Sequence, residues 1–173
     1  MRQLYLLRHA KSDWDDPALP DLDRPLANRG RKAARLMAKY LRRADIRPAV
    51  VLCSPAKRAK ETFSLIAPAF GKVSSVFDRR LYEADTQTLL ACLATLPADT
   101  ASALLIGHNP GLDRLAAYLT AERDNSDAAQ RLRDKFPTCA LAVLSTDADW
   151  PTMTAGCCRL DDFIRPADLD EAG

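Results

Sequence analysis

Histidine is almost missing from this 173-residue chain, which has only His9 and His108. Imidazole is the side chain that ordinarily titrates near neutrality, so any imidazole chemistry must draw on these two residues. Two are also too few for a multi-histidine metal centre. Aromatic residues make up only 6%, which argues against stacking platforms for single-stranded nucleic acid. Nor does one sign of charge dominate: 25 basic side chains face 23 acidic ones, a formal +2. The basic footprint of a nucleic-acid or anionic-membrane binder is therefore lacking. No apolar run reaches the roughly 18 residues of a membrane-spanning helix. The opening Met-Arg-Gln-Leu-Tyr-Leu-Leu-Arg holds too short an apolar stretch for a secretion signal. The five cysteines, Cys53, Cys92, Cys139, Cys157 and Cys158, include no C-x-x-C pair. An odd count without a secretion signal reads as reduced thiols in a cytoplasmic protein, serving as small core hydrophobes. The adjacent Cys157 and Cys158 are expected to point to opposite faces of a strand.

What is present is 47% hydrophobic sequence in a length suited to one domain, taken as residues 1–173. Short apolar runs alternate with longer amphipathic ones. Gln3–Leu7, Ala49–Cys53, Val73–Phe77 and Ala103–Ile106 read as strands. From Asn28, the apolar positions Ala33, Met37, Tyr40, Leu41 and Ala44 recur at helical spacing, and Arg47-Pro48 is expected to end that helix. A second helix is predicted with Ser54 as N-cap and Pro55 in its first position, running to about Phe70 before Gly71. Further helices are predicted over Thr86–Leu96 and about Leu112–Leu119. Residues 121–136 read as a loop or short solvated helix, and Cys139–Leu144 and about Ala155–Phe163 as late strands. Strands alternating with helices imply an α/β class protein: a three-layer α/β/α sandwich with a mostly parallel central sheet and an antiparallel edge.

In open α/β sheets, ligands bind beyond the carboxyl ends of the strands. The first strand runs into Arg8-His9-Ala10, the second into Ser54-Pro55-Ala56-Lys57-Arg58, and the fourth into Gly107-His108-Asn109-Pro110. Singly, each residue has an ordinary reading, the histidines as caps and the arginines as solvated charges. Together, both histidines and two arginines share one rim, which coincidence explains poorly. Arginine offers a planar, permanently charged fork that matches phosphate oxygens, so two of them make a dianion clamp. A neutral imidazole is a competent nucleophile toward phosphorus, and a second, if protonated, can stabilise the transferring phosphoryl oxygens. The residues offer no metal-ligand cluster, and such chemistry calls for no cofactor.

Arg-His-Ala, Ser-Pro-x-x-Arg-Ala-x-Glu-Thr and Gly-His-Asn-Pro, in this order at successive strand ends, resemble the histidine phosphatase superfamily, the phosphoglycerate mutase-like fold. The short chain and Asp21–Gly30 (Asp-x-Asp-Arg-Pro-Leu-x-x-Arg-Gly) are similar to its SixA-type phosphohistidine phosphatase branch, over Leu4 to about Leu169. The resemblance implies that His9 is the nucleophile and is transiently phosphorylated. Arg8, Arg58 and His108 would bind the phosphoryl group and stabilise its transition state. Leu81-Tyr82-Glu83 matches a family stretch carrying the general acid, making Glu83 the candidate acid and later base. Two departures stand out. Ala10 replaces a common glycine, and Asp15 occupies a place where mutase-like members often carry Asn. A carboxylate would repel phosphate, so Asp15 is expected to face away or to meet a positive substrate group, and Ser12 and Asn109 are the candidate extra contacts.

The expected activity is a cofactor-independent phosphatase working through a phosphohistidine intermediate. The favoured substrate is phosphohistidine on a protein, such as a histidine phosphotransfer domain, reached through a shallow open site. A small-molecule phosphomonoesterase, or a non-catalytic phosphate-binding module on the same fold, are the alternatives. Neither nucleic acid nor membrane is expected as a partner, and the oligomeric state is not legible.

Overall fold

Four apolar runs become parallel strands of one sheet, and the amphipathic stretches between them become its covering helices. The computed structural model describes residues 1–172. Its strands are β1 (Arg2–Arg8), β2 (Val50–Cys53), β3 (Ser74–Phe77), β4 (Ser102–Gly107), β5 (Leu141–Thr146) and β6 (Arg159–Ile164). Its helices are α1 (Asn28–Arg43), α2 (Lys57–Ile66), α3 (Thr86–Ala94), α4 (Gly111–Leu119), α5 (Asp127–Asp134) and α6 (Pro166–Ala172), with short 3-10 turns that include Asp21–Asp23. The six strands lie in the order β3-β2-β4-β1-β5-β6. β1, β2, β3 and β4 pair in parallel, whereas β5 runs antiparallel to both β1 and β6. The antiparallel strand thus lies one place in from the edge, and β6 is the edge itself.

Alternation along β1 divides the core in two, because successive side chains leave opposite faces of a strand. Leu4 and Leu6 face a cluster with Leu89 and Leu93 of α3 and Leu112 and Leu115 of α4. Tyr5 and Leu7 face the other, with Ala34, Met37 and Leu41 of α1 and Ile66 of α2. Leu4, Leu6 and Leu7 are fully buried. At roughly 1.5–3 kcal/mol for each buried leucine, this central strand anchors both layers.

Several local expectations change. α1 ends at Arg43, ahead of Pro48, through a Schellman closure: Asp45 adopts a left-handed φ of 52° and Ile46 N–H donates to Leu41 O at 3.0 Å. α2 begins at Lys57 with no side-chain cap, so Ser54 and Pro55 precede the helix, and it gives way to a 3-10 turn after Ile66. Residues 127–134 form a helix that is not merely solvated: Ala129 and Leu132 are buried, and Arg131 Nη2 donates to Phe163 O of β6 at 2.9 Å. β6 starts only at Arg159, and Cys157 and Cys158 do not diverge, since their sulfurs lie 3.7 Å apart. Among the described residues no helix is long and apolar enough to cross a membrane.

Candidate active site

Parallel register brings the strand ends level. Arg8 pairs with Gly107, and His9 N–H donates to Gly107 O at 3.0 Å. Cys53 pairs with Ile106, and Ser54 N–H donates to Ile106 O. His9 and His108 therefore leave neighbouring strands side by side, with ring centroids 5.1 Å apart. α2 brings Arg58 to the same spot one turn after β2. Thr62, fully buried, locks that turn to the first strand end: its Oγ1 accepts from Ala10 N–H at 3.0 Å and donates to Arg58 O at 2.7 Å.

The two imidazoles are prepared differently. His9 Nδ1 lies 2.7 Å from Ala10 O, which can only accept, so Nδ1 carries the proton and Nε2 keeps its lone pair. Burial pushes the His9 pKa down to about 4, opposed by the Ala10 hydrogen bond and reinforced by the charges of Arg58, Arg8 and Arg24. The ring is neutral at pH 7. His108 Nδ1 sits 3.3 Å from Arg58 Nη2, a nitrogen that can only donate, so Nε2–H donates to Ser54 Oγ at 2.7 Å. Burial, then His9 and Arg58, push His108 down to about 3, against a smaller raising effect of Asp21.

Around them is a cavity of about 300 Å³ lined by Arg8, Lys11, Ser12, Arg24, Arg58 and Thr138, with Trp14 and Glu83 also on its wall. Four cations and a single carboxylate line it, which suits a dianion. Arg8 Nη1 and Asn109 Nδ2 both donate to Phe136 O, at 3.0 and 2.9 Å. Asn109 thereby braces the segment that orients Arg8. The Nε atoms of Arg8, Arg24 and Arg58 have no protein partner among the described residues, so each guanidinium keeps donor capacity that the protein does not use. Glu83 is exposed on a left-handed residue (φ 54°). Its loop lies against α4, where a Cβ at Gly111 would come within 2.3 Å of Ala84 O. Among the described residues no three His, Cys, Asp or Glu side chains cluster as metal ligands.

All seven sequence-predicted residues (Arg8, His9, Ser12, Arg58, Glu83, His108 and Asn109) line this one cavity. Asp15 does not line it; it is exposed, and its neighbour Trp14 does. Sequence reasoning missed three contributors. Arg24 is buried, donates to Ser12 Oγ, and lays its guanidinium 3.6 Å from the Trp14 ring centroid. Asp21 is the hub: its carboxylate meets Arg24, the Tyr82 hydroxyl and Arg58 Nη2 (3.0 Å), while its carbonyl accepts from Arg58 Nη1 at 2.7 Å. Burial raises the Asp21 pKa, but the hydrogen bonds from Arg24, Tyr82 and Arg58 outweigh it and hold the carboxyl well below its usual range. Ser54 orients His108 instead of capping a helix. The Asp21–Gly30 segment carried a signal for Asp21 and Arg24, but only as a family pattern without individual roles.

Comparison with known proteins places the chain in one family. The sequence profile of the histidine phosphatase superfamily (branch 1) matches residues 4–95. An uncharacterized protein of Mycobacterium tuberculosis is 38% identical over 167 residues, covering 92% of this chain and 99% of that one. The phosphohistidine phosphatase SixA of Escherichia coli is 30% identical over 148 residues, 84% of this chain and 86% of that one. A structure assigned to phosphohistidine phosphatase SixA of Nakamurella multipartitia superposes with a TM-score of 0.84 at 30% identity, covering 95% and 96% of the two chains.

Proposed function

The chain belongs to the histidine phosphatase superfamily, and from that premise we propose that it is a phosphatase removing the phosphoryl group from phosphohistidine on a protein, through a covalent intermediate on His9. The observation that carries the reading is the His9 ring: buried, neutral, and held with Nδ1–H on Ala10 O so that the Nε2 lone pair is available.

In the first step Nε2 of His9 attacks phosphorus, the P–N bond of the substrate breaks, and the departing imidazole takes its proton from solvent water. Arg8, Arg58 and Arg24 neutralise the three phosphoryl oxygens. A bound phosphoryl dianion also raises the pKa of His108, reversing the effect of the surrounding cations. Its Nδ1 can then hold a proton and donate to phosphate once Arg58 turns its own donor there. In the second step water attacks phosphorus, the bond to His9 breaks, and inorganic phosphate leaves. Transfer from one imidazole to another exchanges like bonds, so the first step makes little demand on an acid.

Glu83, exposed on the cavity wall, favours a second reading as a phosphomonoesterase. An alkoxide leaving group needs a proton far more than an imidazole does, and Glu83 can supply it, then accept one from water.

The test compares a histidine-phosphorylated protein with glycerol 3-phosphate, an alkyl monoester, as substrates. Brief mixing with either should leave an acid-labile, alkali-stable phosphate on the wild type and none on His9→Ala, whose kcat should fall at least about 10³-fold. Full activity in His9→Ala overturns the mechanism. Glu83→Gln separates the substrates: large losses on the monoester with near-normal phosphohistidine hydrolysis support the favoured reading. A wild type active only on the monoester supports the second.

A further inference from the structure

A second cavity adjoins the active site and has no part in the chemistry above. It encloses about 390 Å³ and shares the wall residues Lys11 and Thr138 with the catalytic cavity, so the two lie side by side. Its lining brings together Lys11, Arg29, Arg131, Lys135 and Arg165 with the single carboxylate of Asp134, alongside alanine and proline residues. Two of these cations have acidic partners: Arg131 with Asp162 at 3.4 Å and Arg165 with Asp168 at 2.7 Å. Lys11, Arg29 and Lys135 are exposed and join no ion pair among the described residues.

The placement of Arg29 is not what its own helix would select. Arg29 and Arg31 lie in the first turn of α1, which contains no acid, although a helix N-terminus favours acids and disfavours cations. Lys11 follows the end of β1, Arg29 opens α1 and Lys135 follows α5, so three separate segments converge to make one positive groove. Its chemistry is complementary to an acidic, partly apolar chain segment.

We propose that this groove docks an acidic segment of the phosphorylated protein, beside the histidine presented to His9. The inference rests on the phosphohistidine-protein reading above and adds how such a substrate is recognised. Lys11, shared by both cavities, would sit where the docked segment meets the phosphoryl group. Attraction between exposed charges acts over about a Debye length, so the preference should fade as salt rises.

The experiment uses two synthetic peptides, each phosphorylated on one histidine with phosphoramidate. One carries four glutamates on either side of that histidine and the other carries glutamines there. The wild type is expected to favour the acidic peptide by about ten-fold in kcat/KM at low salt, less at high salt. The double variant Arg29→Glu, Lys135→Glu should lose or invert that preference while keeping its rate on p-nitrophenyl phosphate. Equal rates on both peptides, or a preference unchanged in the variant, overturn the docking proposal and leave the catalytic reading standing. If the groove instead holds a second phosphate of a small molecule, a bisphosphorylated small substrate will outpace its monophosphorylated form and the peptides will be indistinguishable, which also overturns it. Hydrolysis of p-nitrophenyl phosphate with neither peptide touched overturns the phosphohistidine reading, and docking with it.

Discussion

His9 and His108 bear on stability as well as chemistry. Their pKa values in the fold, about 4 and about 3, lie below the ordinary 6.5. Between those limits the unfolded chain binds more protons than the folded one, so stability falls as pH drops below about 6.5 and levels off beneath the folded values. For His9 alone the full change corresponds to roughly 3 kcal/mol. Carboxyls held low, Asp21 foremost, lose most of their contribution below their ordinary 3.8, beneath the pH 4 end of the measurement that follows. Urea denaturation from pH 7 to pH 4 should therefore show a decline in the wild type that is shallower in His9→Asn and in His108→Gln. Parallel slopes in all three would contradict the burial that keeps the rings neutral. At this scale the histidines were legible because there are so few and each follows an apolar run. Arg24 was legible only as part of a family pattern: the charges along residues 13–27 do not by themselves tell which one turns inward, since that depends on Asp21 reaching α2.

At the scale of elements, the site depends on backbones approaching too closely for a side chain. Gly30 of α1 faces Lys11 O, and Gly111 of α4 faces Ala84 O, each at a distance where a Cβ would come within 2.1 and 2.3 Å of the oxygen. Gly111→Ala must push α4 away from the loop that carries Glu83. It is expected to cost about 1–3 kcal/mol of stability, read as a lower thermal midpoint. It should also lower kcat on glycerol 3-phosphate more than it weakens vanadate binding, because the arginines proposed to hold the oxyanion, Arg8, Arg58 and Arg24, lie on other elements. Undisturbed stability would mean that the two backbones separate without penalty. Most strands and helices were legible because their apolar periods differ. The start of α2 was misread because Ser-Pro is also a good helix opening. What decides against it is a non-local contact, Ser54 Oγ accepting from His108 Nε2.

For the molecule as a whole, β1 joins the two halves of the core, with Leu4 and Leu6 on one side and Tyr5 and Leu7 on the other. Leu6→Ala should cost about 2–5 kcal/mol and shift the near- and far-ultraviolet circular dichroism transitions together. Vanadate should raise both midpoints by mass action. Separate transitions would show that the two faces of the sheet unfold independently. The amino-acid sequence alone determined the layered α/β class, the parallel strand ends as the candidate rim, and the histidines and arginines that meet there. These follow from local periodicity and from residue chemistry, both of which are written along the chain. Only the tertiary structure decided the tautomers of the two rings, the Asp21 hub that aims Arg58 and Arg24, and the cationic groove beside the cavity. Each of those needs groups far apart in sequence to meet at hydrogen-bonding or Coulombic range, and such distances exist only once the chain has folded.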